Sequence, residues 1–128
     1  MESYLLDTHV LLWMASNSAL LSDKTKEILK TDSQFLFSYA SIWEMSIKIK
    51  SEKLKLSFPL QDFMERAIQE HALVLHEISL AHIYHTQTLP LHHRDPFDRL
   101  IIAQAVQDNL IIVSADDLFD NYGVKRCW

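Results

Sequence analysis

Glycine is almost missing from this chain. Gly123 is the only one among 128 residues, which excludes the GxGxxG fingerprint and the Walker phosphate loop, since each needs several. Cysteine is as scarce. Cys127 stands alone, so no disulfide framework, CxxC redox pair or thiolate zinc site can be built. No apolar run approaches the ~18 residues of a membrane span. The opening Met1-Glu2-Ser3 lacks the basic n-region of a secretory signal. Basic charge is short as well, with 12 Lys and Arg against 17 Asp and Glu and a net charge of −5. Bulk electrostatics therefore do not draw nucleic acid to this chain. The local exception is Lys48, Lys50, Lys53 and Lys55, opposed only by Glu52, with smaller clusters at Arg94/Arg99 and Lys125/Arg126. Lysines also favour helix C-termini, so a solvated helix end explains the first stretch equally well.

What the chain does have is apolar residues, 48% of the total, against 23% charged. The length suits one domain, residues 1–128, and such a chain buries roughly two-thirds of its unfolded surface without staples. A cytoplasmic, soluble protein with no membrane partner is expected. There is no repeat or low-complexity tract. Short apolar runs at Tyr4–Leu6, Phe35–Phe37, Leu73–Ile78 and Leu110–Ser114 read as strands, with Val124–Cys127 as a fifth, edge strand. Helices are expected over Thr8–Ala15, Ser22–Thr31, Ala40–Lys50, Leu60–His71, Leu80–Thr88 and Phe97–Gln107, with a loop from Pro90 to Pro96 and a short helical turn at Asp116–Asp120. Strands that are apolar throughout and alternate with helices indicate a parallel sheet covered on both faces. The fold class is α/β, a three-layer α/β/α sandwich with a small, mainly parallel sheet.

Four acids attract attention. Asp7 follows the first strand and Asp116 the fourth, so both fall at the carboxyl ends of strands, where open parallel sheets gather function. Asp98 opens the helix before the fourth strand, and Glu44 lies in the helix after the second. Each has a plain structural account: helix caps for Asp7 and Asp116, the positive end of a helix for Asp98. Glu44 has few polar neighbours in Ala40–Ile49, and an unpaired buried carboxylate is costly. A Glu44–Lys48 pair at i,i+4 is the competing account, worth ~0.3–0.5 kcal/mol. Carboxylates that converge must protonate or bind a cation. All-oxygen ligation favours Mg2+, or Mn2+, over zinc or copper. A divalent ion held this way suits phosphodiester hydrolysis, because it acidifies a bound water and neutralises charge in the transition state.

Leu5-Leu6-Asp7-Thr8-His9, Ser41-Ile42-Trp43-Glu44, His92-His93-Arg94-Asp95-Pro96-Phe97-Asp98-Arg99 and Ser114-Ala115-Asp116 together resemble the PIN-domain family, and more narrowly the VapC-type toxins of bacterial toxin–antitoxin pairs. The resemblance runs in order along nearly the whole chain. It implies an α/β/α sandwich, a Mg2+- or Mn2+-dependent endoribonuclease acting on RNA, and neutralisation by a cognate antitoxin. Homodimerisation is implied by the resemblance alone. Carried over by position, Asp7, Glu44, Asp98 and Asp116 match the catalytic and metal-binding acids, and Thr8 and Ser114 the supporting hydroxyls. Asp95 competes with Asp98, and Asp117 with Asp116. The run Arg99-Leu100-Ile101-Ile102-Ala103 after it favours Asp98, while the hydroxyl-x-acid pattern Ser114-x-Asp116 favours Asp116. Ser114 stands where the family often has Thr. An antitoxin that covers such a groove is expected to supply a basic side chain, and an Arg fork suits carboxylates.

Seven histidines are many for this length. His82 and His85 share a helix face and His92-His93 follow, yet no HExxH or Cys/His spacing marks a zinc site. His93 and Arg94 are candidate RNA contacts. Trp13 and Trp43, at helical positions, are expected in the core. Two rivals compete with the nuclease. A phosphoryl-accepting α/β domain of the haloacid-dehalogenase type needs Asp-x-Asp after strand one, and Asp7-Thr8-His9 lacks it. A non-catalytic PIN-like domain that only binds RNA or protein is disfavoured by the presence of all four acids.

Overall fold

The computed structural model describes residues 2–128. Its elements follow in the order β1 (Ser3–Leu6), α1 (Thr8–Ala15), α2 (Asp23–Leu29), β2 (Gln34–Ser38), α3 (Tyr39–Lys50), α4 (Leu60–His71), β3 (Val74–His76), α5 (Leu80–Thr88), α6 (Pro96–Asp108), β4 (Ile111–Val113), a 3-10 helix (Asp117–Tyr122) and β5 (Arg126–Cys127). The five strands form one sheet in the order β3-β2-β1-β4-β5, and every pairing is parallel. The expected α/β/α sandwich is therefore what the chain adopts.

Two apolar clusters sandwich the sheet, because side chains alternate faces along each strand. Leu6, Phe35, Phe37 and Val113 point to one side, where Val10, Leu11, Phe63 and Met64 of α1 and α4 cover them. Leu5, Leu36 and Ile112 point to the other, against Ile101, Ile102 and Ala105 of α6 and Phe119. Burial on both faces is why the strands carry no polar alternation.

β1 lies between β2 and β4, with Leu5 opposite both Leu36 and Ile112. From β1 the chain winds outward through β2 and β3, then returns to the other side of β1 as β4. The connections leaving β1 and β4 thus diverge, opening a crevice at their carboxyl ends. Asp7 sits at the lip of that crevice, its backbone N–H donating to the Val113 carbonyl at 3.0 Å.

Several boundaries differ from expectation. β3 ends at His76 and β5 spans only Arg126–Cys127. Gly123, at φ +71°, ends the 3-10 helix and the chain needs Val124 and Lys125 to reach the sheet edge. With one glycine available, the other left-handed positions fall to Asn17, Glu52, Ala72 and Asn109. The expectation for Trp43 is overturned. The buried face of α3 consists of Ala40, Ser41, Glu44 and Met45, so the helical period turns Tyr39, Trp43 and Ile47 outward. Trp43 is 59% exposed and meets Phe97 edge-on at 5.2 Å. Trp13 is half-buried against the first cluster and Trp128.

Candidate metal-binding active site

The crevice widens into a cleft of about 400 Å³ whose lining includes Asp7, Glu44, Asp95, Asp98 and Asp116, with His9, Trp13 and Lys48 at its walls. Each acid is delivered by a different piece of local structure.

Asp7 follows β1 directly and caps α1. Its Oδ1 accepts the Thr8 backbone N–H at 2.7 Å and its Oδ2 the Ser114 hydroxyl at 2.8 Å. Burial raises its pKa, against the Ser114 hydroxyl, His9 and the Thr8 N–H, which lower it. Ser114 is a bridge between two acids, since its oxygen also accepts the Asp116 backbone N–H at 3.0 Å. Arg126 fixes the Ser114 carbonyl at 3.0 Å while its guanidinium grips both oxygens of Asp120.

Glu44 is buried, 6% exposed, on the inner face of α3. The Thr8 hydroxyl donates to Oε1 at 2.7 Å and the Lys48 ammonium to Oε2 at 3.0 Å. The i,i+4 pair weighed from sequence therefore forms, and it forms inside the acidic cleft, with Lys48 as the only lysine on its lining.

The segment from Asp95 to Arg99 places its acids with little freedom. Asp95 caps α6 by accepting the Phe97 N–H at 2.8 Å, and Pro96 takes the first helical turn, where its missing N–H costs nothing. Asp98 then projects into the cleft. Arg99 turns the other way and donates to the carbonyls of Thr86, Leu89, Pro90 and His93, stapling the preceding loop to α5. Asp98 has no hydrogen-bond donor among the described residues. Burial, then Asp7, Asp95, Glu44 and Asp116 in turn, push its pKa up to about 8.

Asp116 caps the 3-10 helix. Its Oδ1 accepts the Leu118 N–H at 3.0 Å and its Oδ2 lies 3.1 Å from His93 Nε2. Asp117 is exposed and absent from the cleft lining. The fold thus brings Asp7, Glu44, Asp98 and Asp116 to one cleft, with Asp95 on its rim and Thr8 and Ser114 behind it. Arg94 lies outside, on an adjoining groove with Ile47, Lys48, Lys53 and Phe97. His93 departs from expectation: it is 6% exposed, so it faces Asp116 and not a solvent groove.

His76, His82 and Asp108 bring three potential ligand atoms within 4.8 Å of one another, but their hydrogen bonds argue against a zinc centre. His76 and His82 both reach Asp108 Oδ2, at 2.6 and 2.7 Å, and they lower its pKa. His82 Nδ1, however, accepts the Ser79 N–H at 3.0 Å, so the ring proton is on Nε2 and no lone pair is left there for a metal. His85 meets Gln107, and His92 lies edge-on to Tyr122.

Sequence reasoning missed one member of the site and gave another a different role. His9 was legible only as part of a motif, although a residue two past Asp7 on the first turn of α1 had to lie near it. The role of His93 had no sequence signal, because its partner is 23 residues away.

Five carboxylates share this cleft with one lysine and His9, with His93 behind Asp116, an arrangement with the chemistry of a divalent-cation site. His93, Asp98 and Asp116 alone offer three donor atoms within 4.8 Å of one another. An acid-lined pocket at the switch point of a parallel α/β/α sheet defines the general class. The chain belongs to the PIN domain family, whose model matches residues 4–125. PIN domains generally use divalent metal ions, and the carboxylates of this cleft fit one.

Solved structures share the fold at low identity. The structure of VapBC2 from Rickettsia felis bound to a DNA fragment from its promoter matches with a TM-score of 0.73 and 15% identity, covering 98% of this chain and 97% of that one. The DNA-bound VapBC from Salmonella typhimurium gives 0.68 and 17%, covering 99% and 98%. FitAcB from Neisseria gonorrhoeae gives 0.62 and 13%, covering 96% and 95%. No curated protein sequence matches the chain.

Proposed function

We propose that this protein is the toxin of a toxin–antitoxin pair, a cytoplasmic, Mg2+- or Mn2+-dependent endoribonuclease built as one PIN-like nuclease domain over residues 1–128. The observation that carries the reading is Asp98. An undonated carboxyl group wedged among Asp7, Glu44 and Asp116 is a poor choice for stability alone and a good one for holding a cation. Asp7, Glu44, Asp98 and Asp116 would hold the ion, with Asp95 in support. When bound, the ion supplies an acidified water as nucleophile and offsets negative charge on the phosphoryl oxygens. The chain's own residues do the positioning. Thr8 and Ser114 lock Glu44 and Asp7 by hydrogen bonds, and a preorganised carboxylate need not reorganise as charge develops.

Lys48, Lys53 and Arg94 line the groove that continues from the cleft. They give an RNA backbone a cationic track on an otherwise acidic protein. On the opposite side Trp13 joins the cleft to an apolar groove of Leu12, Leu54, Leu56, Phe58 and Phe63. That groove suits an antitoxin segment with apolar anchors and an Arg reaching the carboxylates. The outward stripe Tyr39, Trp43 and Ile47 suits a homodimer contact, since exposed aromatic patches mark protein interfaces.

The test is cleavage of structured and unstructured RNAs with Mg2+, Mn2+ or EDTA, using wild type, Asp7→Asn and Asp98→Asn. Metal-dependent cleavage that drops by orders of magnitude in both folded variants is expected. Full cleavage in EDTA refutes the reading, and so do wild-type rates in either variant. Cation binding without cleavage would leave a non-catalytic binding domain.

A further inference from the structure

We infer that His93 is a positioning residue that fixes the Asp116 carboxylate through its Nε2–H and does not itself bind the cation. This rests on the metal-dependent reading above. Each of the other cation-facing acids divides into held and free groups. Asp7 is held at both oxygens by Thr8 and Ser114, and Glu44 at both by Thr8 and Lys48. Asp98 is held at neither. Asp116 joins the first set only because of His93, which sits 3.1 Å from Oδ2 while the Leu118 N–H holds Oδ1.

The imidazole has no freedom to do otherwise. Its ring stacks on Phe119 at 4.9 Å and 30° and lies against Tyr122 at 5.5 Å. Its backbone N–H donates to the Tyr122 hydroxyl, and Arg99 donates to its carbonyl at 3.4 Å. Phe119 and Tyr122 belong to the 3-10 helix that Asp116 caps. One short element therefore carries the acid and grips the ring that orients it.

The buried Nδ1 decides between orienting and ligating. It has no hydrogen-bond partner. A histidine that ligates through one nitrogen normally donates its other N–H to an acceptor. Ligation through Nε2 would put the ring proton on Nδ1, where nothing accepts it. The opposite tautomer leaves only a bare lone pair at Nδ1 and places the proton between Nε2 and Asp116. Each carboxylate oxygen has two lone pairs, so Oδ2 can accept from His93 and still face the cation. The donor set stays all-oxygen, which preserves the preference for Mg2+ and Mn2+.

Two measurements test this. Nitrogen NMR of the wild-type imidazole, metal-free and with saturating Mg2+, should give a protonated Nε2 and a bare Nδ1 in both states. A proton on Nδ1 in the Mg2+-loaded protein overturns the proposal. Mn2+ titration followed by the paramagnetic resonance of free Mn2+, together with RNA cleavage, then compares wild type, His93→Phe and His93→Gln. Phe keeps the stacking without a donor, whereas Gln supplies an amide N–H near the Nε2 position. Loss of Mn2+ affinity or kcat by about 10–100-fold is expected in His93→Phe, with most of it recovered in His93→Gln and KM for RNA little changed. A His93→Phe variant that binds and cleaves as wild type refutes the role of His93 alone. If His93→Phe does not fold, the tautomer of the Mg2+-loaded wild type still decides, since an Nε2 that ligates the cation cannot keep its proton. A wild-type protein that binds no Mn2+ overturns the metal-dependent reading and this inference with it.

Discussion

Replacing Asp98 by Asn should stabilise the metal-free protein, and the size of the gain should depend on pH. Asp98 keeps its proton in the native state up to about pH 8, whereas its ordinary pKa is 3.8. Between those values the unfolded chain has released a proton that the native state still binds. Stability therefore falls as pH rises, by up to ~1.4 kcal/mol per pH unit from this one group. Asp7, whose pKa is also raised by burial, acts in the same direction. At pH 7 the accumulated cost at Asp98 is at most ~4 kcal/mol. Asn cannot ionise and escapes it, but it gives up ~0.3–1 kcal/mol of charge–dipole interaction at the start of α6 whenever the acid is ionised. A gain of ~0.5–4 kcal/mol at pH 7 is expected, shrinking to ~0.6 kcal/mol or less near pH 4, where the native carboxyl is neutral and the unfolded one about half ionised. Mg2+ reverses the order. An ion at 100 times its dissociation constant adds ~2.7 kcal/mol to a protein that binds it only when folded, and Asp98→Asn should lose most of that. The assay is thermal and urea unfolding of both proteins from pH 4 to 8.5, in EDTA and in millimolar Mg2+. A variant less stable than wild type at pH 7–8 in EDTA, yet gaining as much from Mg2+, would refute the reasoning. It would return Asp98 to a helix-start role and make Asp95 the better third acid.

Three further outcomes are expected. Ser114→Ala removes the hydroxyl shared by Asp7 and the Asp116 N–H. It should cost ~1–3 kcal/mol in denaturant unfolding and lower cleavage, and a neutral result would mean that water replaces the bridge. Arg99→Lys keeps the charge but loses the fork that reaches four carbonyls. It should destabilise by ~2 kcal/mol and open residues 89–95 to limited proteolysis. Ala72→Gly relieves a left-handed residue at the end of α4, where φ is +51°. It should add on the order of 1 kcal/mol to stability without touching cleavage.

Much of this molecule was legible from local pattern. Apolar runs at Leu5-Leu6, Phe35–Phe37 and Ile111–Val113 read as buried strands, and their alternation with helices indicates a covered parallel sheet. Asp7 and Asp116 were readable as helix caps because capping is a property of a residue and its next three neighbours. They do cap. The capping account and the functional one are not alternatives here, since each carboxylate uses one oxygen for the helix, and the other, bonded to Ser114 in Asp7 and to His93 in Asp116, keeps a lone pair for the cleft. Glu44 and Lys48 likewise form the pair their spacing allows, inside the site.

What sequence could not decide is whatever depends on the angle at which elements pack. Trp43 reads as core from its helical position. Only the packing of α3, which buries Ala40, Ser41, Glu44 and Met45, turned it to the surface. The company of Asp98 was equally hidden. Besides Asp95, the acids that repel it come from the end of β1, from α3 and from the start of the 3-10 helix, and nothing in the segment from Asp95 to Arg99 says that no N–H will meet its carboxylate. His93 shows the same limit from the other side. Whether an exposed-looking histidine beside Arg94 faces RNA or a buried acid depends on where Phe119 and Tyr122 fall. Capping, periodicity and strand character are fixed over a few residues, so the sequence determined the elements and the list of acids. Burial, charge repulsion and tautomer are set by atoms distant in the chain, and those the tertiary structure alone decided.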